Sequence, residues 1–82
     1  MVNKETESVV TLLNELKDDH TVPRNVRVRI DDAIKILDED TEMEIKVSKV
    51  LHGLEEIADD VNLQSYTRTQ IWDIISSLEK IK

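Results

Sequence analysis

Residues 8–37 read SVVTLLNELKDDHTVPRNVRVRIDDAIKIL, and residues 49–78 read KVLHGLEEIADDVNLQSYTRTQIWDIISSL. A shift of 41 positions aligns the two segments without a gap. The pairs that become identical include Glu15/Glu56, Asp18/Asp59, Asp19/Asp60, Arg27/Arg68, Ile30/Ile71, Asp32/Asp73 and Leu37/Leu78. Each segment consists of an apolar stretch, an acidic turn and a second apolar stretch, so the sequence predicts an internal repeat of two helical hairpins.

Apolar residues recur at helical spacing in four stretches, at about Lys4–Lys17, Pro23–Asp38, Glu42–Ala58 and Gln64–Ile81. The first stripe contains Val9, Leu12, Leu13 and Leu16; the second contains Val26, Ile30, Ala33, Ile34 and Leu37; the third contains Met43, Val47, Val50, Leu51, Leu54 and Ile57; the fourth contains Ile71, Ile74, Ile75, Leu78 and Ile81. Each predicted helix is amphipathic and buries one side only.

The composition agrees with an all-α protein, because the 82 residues include one Gly, one Pro and only 2% aromatic side chains. Two hairpins are too few for an open solenoid, which generally needs about three repeats. We therefore expect a single domain over residues 1–82, a four-helix up-and-down bundle in which hairpin one (about 4–38) packs on hairpin two (about 42–81).

The predicted helix boundaries rest on capping residues. Asn3 suits the start of the first helix, Thr21 and Pro23 the second, Thr41 with Glu44 a capping box for the third, and Asn62 the fourth. No Gly or Pro separates the second helix from the third. The apolar stripe nevertheless shifts by about 80° between them at 100° per residue, which predicts a tight turn at residues 38–41.

Charge and cysteine content limit the functional classes. A net charge of −7 opposes general attraction to nucleic acid or anionic lipid, and the absence of Cys removes disulfides, thiolate metal sites and cysteine nucleophiles. No signal peptide or membrane-spanning stretch is visible, which favours a cytoplasmic protein. We expect no enzyme, no cofactor and no small-molecule substrate, because no Gly-rich phosphate loop or partnered nucleophile is present.

The repeated charges suggest two interpretations. Arg27 and Arg68 each lie about one turn into a second helix, so ion pairs with the acidic turns Asp18–Asp19 and Asp59–Asp60 are expected to close both hairpins. Alternatively, Arg24, Arg27 and Arg29 form a patch for phosphate or RNA. Asp31 follows four residues after Arg27, and an intrahelical pair between them is the preferred interpretation of that patch.

Two further features have structural interpretations. His52, Glu55 and Glu56 have a spacing that suits metal ligands, but the paired Glu-x-x-His pattern of di-iron bundles is absent, so no metal site is predicted. Gly53 lies in the middle of the third helix, where it suggests a close approach of another helix.

Several apolar residues fall outside the core stripes. Val28 and Ile36 on the second helix, with Tyr66 and Trp72 on the fourth, are the candidate interface, because Trp and Tyr are enriched in binding hot spots. The functional hypothesis is a protein–protein interaction or scaffold module that binds a protein partner or forms a homodimer. The alternative is an RNA- or phosphate-binding accessory protein that acts through the arginine patch.

Specific motifs also resemble a known family. Thr21-Val-Pro-Arg-Asn-Val-Arg27 after Asp18-Asp19, Arg68-Thr-Gln-Ile-Trp72 and the ending Leu78-Glu-Lys-Ile-Lys82 are similar to uncharacterised protein family 0147, a group of small archaeal proteins. The resemblance implies a compact four-helix up-and-down bundle and no assigned activity or catalytic residues.

Overall fold

The computed structural model describes residues 4–81, which form four helices in antiparallel succession: α1 (Lys4–Lys17), α2 (Arg24–Leu37), α3 (Met43–Ala58) and α4 (Ser65–Ile81). The architecture is an all-α up-and-down bundle, as the sequence predicts. The predicted boundaries differ from the observed ones by at most one residue. None of these four helices is long and apolar enough to cross a membrane.

The core lies between the four amphipathic faces and contains almost only aliphatic side chains. Its largest fully buried side chains are Leu13, Ile30, Leu54, Ile57, Ile71, Ile74, Ile75 and Leu78. Two threonines, Thr6 and Thr67, are also buried, although the apolar pattern does not include them. Aliphatic residues at three- and four-residue spacing therefore explain why every helix turns one side inward.

The helices form a closed cycle in which α1 packs on α2, α2 on α3, α3 on α4, and α4 on α1. The diagonal pairs, α1 with α3 and α2 with α4, make no contact between Cα atoms within 8 Å. The groove between α2 and α3 therefore lies on the opposite side of the bundle from the groove between α1 and α4.

The turn between the two hairpins occurs where the shift of the apolar stripe predicts it, since α2 ends at Leu37 and α3 begins at Met43. The predicted capping box of Thr41 and Glu44 is wrong, because Glu42 is the N-cap residue and no side chain caps α3. A lysine from α3 stabilises this junction instead. Lys46 Nζ donates to the Leu37 carbonyl at 3.2 Å and to the Glu39 carbonyl at 3.0 Å.

Each hairpin turn is organised by the second aspartate of its repeated Asp-Asp pair. Asp19 Oδ1 accepts hydrogen bonds from the backbone N–H of Thr21 at 2.9 Å and from its hydroxyl at 2.7 Å. Asp60 Oδ1 accepts in the same way from the Asn62 N–H at 2.9 Å. These are Asx-type turns, which reverse the chain through a side-chain acceptor two residues earlier.

The same turns correct the predicted caps of α2 and α4. Pro23 is the N-cap residue of α2, without a side-chain hydrogen bond, and Thr21 is used in the turn. Asn62 is likewise part of its turn, three residues before α4 begins at Ser65. The predicted cap Asn3 lies outside the described residues.

Candidate interaction surfaces

The predicted ion pairs of the hairpin turns are wrong, because Arg68 is bound by backbone carbonyls. Its Nε donates to the Ala58 carbonyl at 2.9 Å, and one Nη donates to the Asp60 carbonyl at 2.7 Å. Ala58 is the last residue of α3, where carbonyl groups lack an intrahelical partner and attract a cationic donor. Its counterpart Arg27 has a buried Nε with no hydrogen-bond partner.

The arginine patch is divided between two sides of α2. Arg29 points to α3, where its Nη2 lies 3.2 Å from Glu56 Oε2. Arg24 and Arg27 lie instead along the α1/α2 groove with Lys17. Two positions along a helix correspond to a rotation of about 200°, so Arg27 and Arg29 cannot share a face. A single site built from all three arginines is therefore excluded.

Asp31 does not pair with Arg27 as the sequence suggested. Its carboxylate lies 3.2 Å from Lys35 Nζ and 3.5 Å from Lys17 Nζ of α1. The hydrogen bond from Lys35 contributes most to lowering the pKa of Asp31, and Lys17 adds to it. Asp31 thus links α1 to α2 and places a negative charge among the cations of the α1/α2 groove.

His52 forms a local contact in α3. Its Nε2 lies 3.0 Å from Glu56 Oε1, and both side chains are largely exposed. Glu55 takes no part in this contact. In the described part of the chain, no three His, Cys, Asp or Glu side chains are grouped so that they could hold a metal ion.

The four candidate interface residues do not form one surface. Val28 and Ile36 belong to α2, and Tyr66 and Trp72 belong to α4, which is the helix diagonal to it. Val28 is 54% exposed beside the α1/α2 groove, whereas Ile36 packs against the core and lines the α2/α3 groove. The structure does not bring these four residues together, because sequence periodicity assigns a residue to a helix face without showing which helices are neighbours.

A different apolar surface forms where α1 meets α4. Leu12 and Tyr66 are 39% and 71% exposed, and they line one groove together with Leu16 and Ile74. We call this surface the Tyr66 face and define it by Leu12, Leu16, Tyr66, Thr69, Gln70, Asp73 and Ile74. Leu12 belongs to the apolar stripe that is predicted to enter the core. It lies, however, at the edge of the arc formed by Val9, Leu13 and Leu16, and a side chain at that edge is expected to be partly exposed.

Gln70 adds an unusual polar group to the Tyr66 face. Its Oε1 atom is buried and has no hydrogen-bond partner. Buried acceptors in folded proteins almost always have partners. This carbonyl oxygen is therefore a buried acceptor to which the described chain offers no donor.

On the opposite side of the bundle, Gly53 opens a hollow between α2 and α3. A Cβ atom placed on Gly53 would meet no atom of another element within 4 Å, so the close helix approach expected at this glycine is wrong. The hollow has a volume of about 170 Å³. We call it the Gly53 hollow; its floor includes Ala33, Ile36 and Val50, and its rim carries Arg29, Asp32, Lys49 and Glu56.

Comparison with known proteins assigns the chain to a family. The model of Uncharacterised protein family (UPF0147) matches residues 2–81. The chain belongs to UPF0147. The UPF0147 protein of Methanocaldococcus jannaschii is 41% identical over 75 residues, which are 90% of this chain and 81% of that protein. The UPF0147 protein of Thermoplasma volcanium is 42% identical over 89% of this chain and 83% of its own.

Solved structures of the family share the bundle. A UPF0147 protein from Thermoplasma acidophilum superposes with a TM-score of 0.92 at 35% identity, over 95% of this chain and 93% of that one. The protein of unknown function MMP1188 gives a TM-score of 0.91 at 37% identity, over 95% of this chain and 90% of its own. Membership in UPF0147, an uncharacterised family, confirms the fold and the resemblance seen in the motifs.

Proposed function

We propose that this UPF0147 protein is a protein–protein interaction module that binds its partner through the Tyr66 face. The observation that carries the proposal is the exposure of Tyr66, 71%, next to Leu12 across a groove with an aliphatic floor. A tyrosine ring offers a large contact area at low cost in side-chain entropy, and tyrosines are frequent among the residues that dominate binding energy.

The polar groups of the Tyr66 face support the same proposal. Asp73 is the one charged residue among those that line the groove, in a chain whose residues are 35% charged. Depletion of charge is typical of the centre of a protein interface.

The RNA- or phosphate-binding alternative has weaker support. Arg29 is held by Glu56 on another side of the bundle, and Asp31 lies among the cations that remain in the α1/α2 groove. The proposed role is non-enzymatic and cytoplasmic, in keeping with the acidic composition.

The proposal is tested by comparing two double variants as baits in a lysate of cells that express the protein. Leu12→Ser with Tyr66→Ser removes the exposed apolar groups of the Tyr66 face. Ile45→Ser with Trp72→Ser removes one aliphatic and one aromatic side chain, each 47% exposed, that do not line the Tyr66 face. Far-UV circular dichroism checks that both variants keep the wild-type helix content.

We expect the wild type and the Ile45/Trp72 variant to retain the same partner, and the Leu12/Tyr66 variant to lose it. Equal recovery with both variants would contradict the proposal. Recovery of nucleic acid that disappears on Arg24→Ala with Arg27→Ala would favour the alternative instead.

A further inference from the structure

The Tyr66 face and the Gly53 hollow occupy corresponding places in the two halves of the chain. Under the 41-residue offset, Leu12 corresponds to Gly53, Gln70 to Arg29, and Ile74 to Ala33. Each groove is thus lined by equivalent positions of the repeat. The Tyr66 face carries large side chains at two positions where the Gly53 hollow has glycine and alanine.

We infer that the partner of the Tyr66 face is a second copy of this chain, and that the Tyr66 ring of one copy sits in the Gly53 hollow of the next. This inference rests on the proposed function and names its partner. In this contact, the exposed Tyr66 ring of one copy packs on the aliphatic floor of the hollow in the next copy.

The size of the hollow fits an aromatic ring. Its volume is about 170 Å³, and an apolar void of about 150 Å³ is known to accept a benzene ring. Glycine in a helix interior lowers helix stability, and at Gly53 no neighbouring element makes use of the missing Cβ atom. The Tyr66 ring of a second copy would fill the space beside Gly53.

The charges at the two surfaces are compatible. The rim of the Gly53 hollow carries two cations, Arg29 and Lys49, and two anions, Asp32 and Glu56, so it is balanced, whereas the whole chain carries −7. Contact through this balanced rim and the nearly uncharged Tyr66 face therefore brings few like charges together, although each copy is acidic.

The stripe that carries Tyr66 also carries a group complementary to the rim. Asp73 follows Tyr66 by seven positions, so both lie along one side of α4. Against the hollow, the carboxylate of Asp73 would face Lys49, whereas Arg29 keeps its pair with Glu56.

The geometry determines the form of the assembly. The two surfaces lie on opposite sides of the bundle, because α2/α3 is opposite α1/α4 in the helix cycle. A copy that binds its neighbour through the Tyr66 face therefore leaves its own hollow free on the far side. Such a head-to-tail contact does not close into a symmetric dimer; it adds further copies in line.

Sedimentation of purified protein over a concentration series provides the first test. We expect the average mass of the wild type to rise above the 9.5 kDa of one chain with concentration, and to rise further with added salt, because salt screens the repulsion between acidic copies. A monomer at all concentrations and salt levels would overturn the inference. Capture of a different protein by the Tyr66 face would then still leave the proposed function standing.

Two variants distinguish head-to-tail from symmetric association. Gly53→Leu fills the hollow and keeps the Tyr66 face, whereas Tyr66→Ser keeps the hollow. Each alone should weaken self-association at least about tenfold, as expected at a binding hot spot. Mixed together, they should form a dimer of twice the chain mass that does not grow. A symmetric contact of two Tyr66 faces would leave Gly53→Leu associating like the wild type, and that result would refute the inference, as would a mixture that stays monomeric.

A surface substitution guards against a loss of folding in these variants. Lys49→Glu changes the balanced rim to a negative one that repels Asp73, and we expect it to weaken association about tenfold. Lys80→Glu makes the same change of charge at an exposed position of α4 away from both surfaces and serves as the control. Equal association of the two variants would contradict the role of the rim.

Discussion

Replacement of Gly53 by alanine should stabilise the protein. Gly53 lies in the middle of α3 with a helical backbone, and no described glycine has a positive φ, so alanine adopts the same conformation without strain. The added methyl group meets no atom of another element within 4 Å. The expected gain in unfolding free energy is then the difference in helix propensity, about 0.8–1.0 kcal/mol.

The gain can be measured by urea unfolding followed by far-UV circular dichroism at low protein concentration. The midpoint should rise with an unchanged slope, and thermal unfolding should shift upwards by about 4–8 °C for a gain of about 1 kcal/mol in a chain of this size. Ser48→Ala on the exposed side of the same helix is the matched control, with an expected gain of about 0.5 kcal/mol. If Gly53→Ala were neutral or destabilising, the space around Gly53 would be occupied in solution, and the reasoning from an open hollow would fail.

Further predictions concern the side chains that hold the turns. Arg68→Lys should lower the unfolding free energy by about 2 kcal/mol in urea unfolding. The guanidinium reaches two part-buried carbonyls, at 2.9 and 2.7 Å, through two separate nitrogens, and the single nitrogen of a lysine cannot occupy both positions. Arg27→Lys, at the position whose Nε has no partner, should lower the unfolding free energy clearly less, and equal losses would contradict this assignment. Lys46→Met should lower the unfolding free energy by about 1 kcal/mol in the same assay, because the carbonyls of Leu37 at the end of α2 and of Glu39 in the turn lose their donor. An unchanged midpoint would show that water replaces this donor. The pKa values of Asp19 and Asp31 in the folded chain lie below the usual value. In acid, the unfolded chain therefore binds more protons at these two carboxyls than the folded chain does. Their contribution to stability is present above about pH 3.9 and is lost as the pH falls through their folded pKa values. Asp19→Asn should therefore reduce the steepness of acid unfolding, and an identical acid transition would refute the link.

The helices and their boundaries follow from the sequence because burial of an apolar stripe depends on spacing alone. The clearest case is the junction after Leu37, where no Gly or Pro marks the end of α2. There, a continuous helix would have turned the stripe that contains Val47 away from the core. The turn is therefore required by periodicity, and the structure confirms it.

The side-chain partners could not be predicted in the same way. The sequence shows that Arg68 follows an acidic turn, but it does not show that the carbonyl of Ala58 lies closer to the guanidinium than any carboxylate. Carbonyl groups at a helix C-terminus are acceptors in every helix and leave no mark in the sequence. The charge pattern therefore predicts an ion pair with a carboxylate, whereas in the folded chain backbone carbonyls accept the hydrogen bonds of the arginine.

The proposed binding surface depends on the order of the helices in space. Tyr66 was selected correctly as an exposed aromatic residue, but its neighbours are Leu12 and Leu16 of α1, and not Val28 or Ile36 of α2. Helix adjacency in a bundle follows from the connections and from packing of all four stripes together. Which exposed apolar residues share one surface can consequently be decided only after the order of the helices around the bundle is known.

The comparison of the two halves of the chain connects stability with the proposed assembly. Positions that repeat as aliphatic residues, such as Ile30 and Ile71, are buried in the core, and their similarity follows from packing. The pair Leu12 and Gly53 differs strongly in size, and both residues lie in the outer grooves. A larger side chain at Gly53 would stabilise the isolated chain, but it would close the hollow that a neighbouring copy needs. Stability of the single chain and self-association therefore favour different residues at this position. Gly53→Leu should thus raise the unfolding free energy and abolish growth of the assembly in a single variant, a combination that a purely structural role of the glycine does not produce.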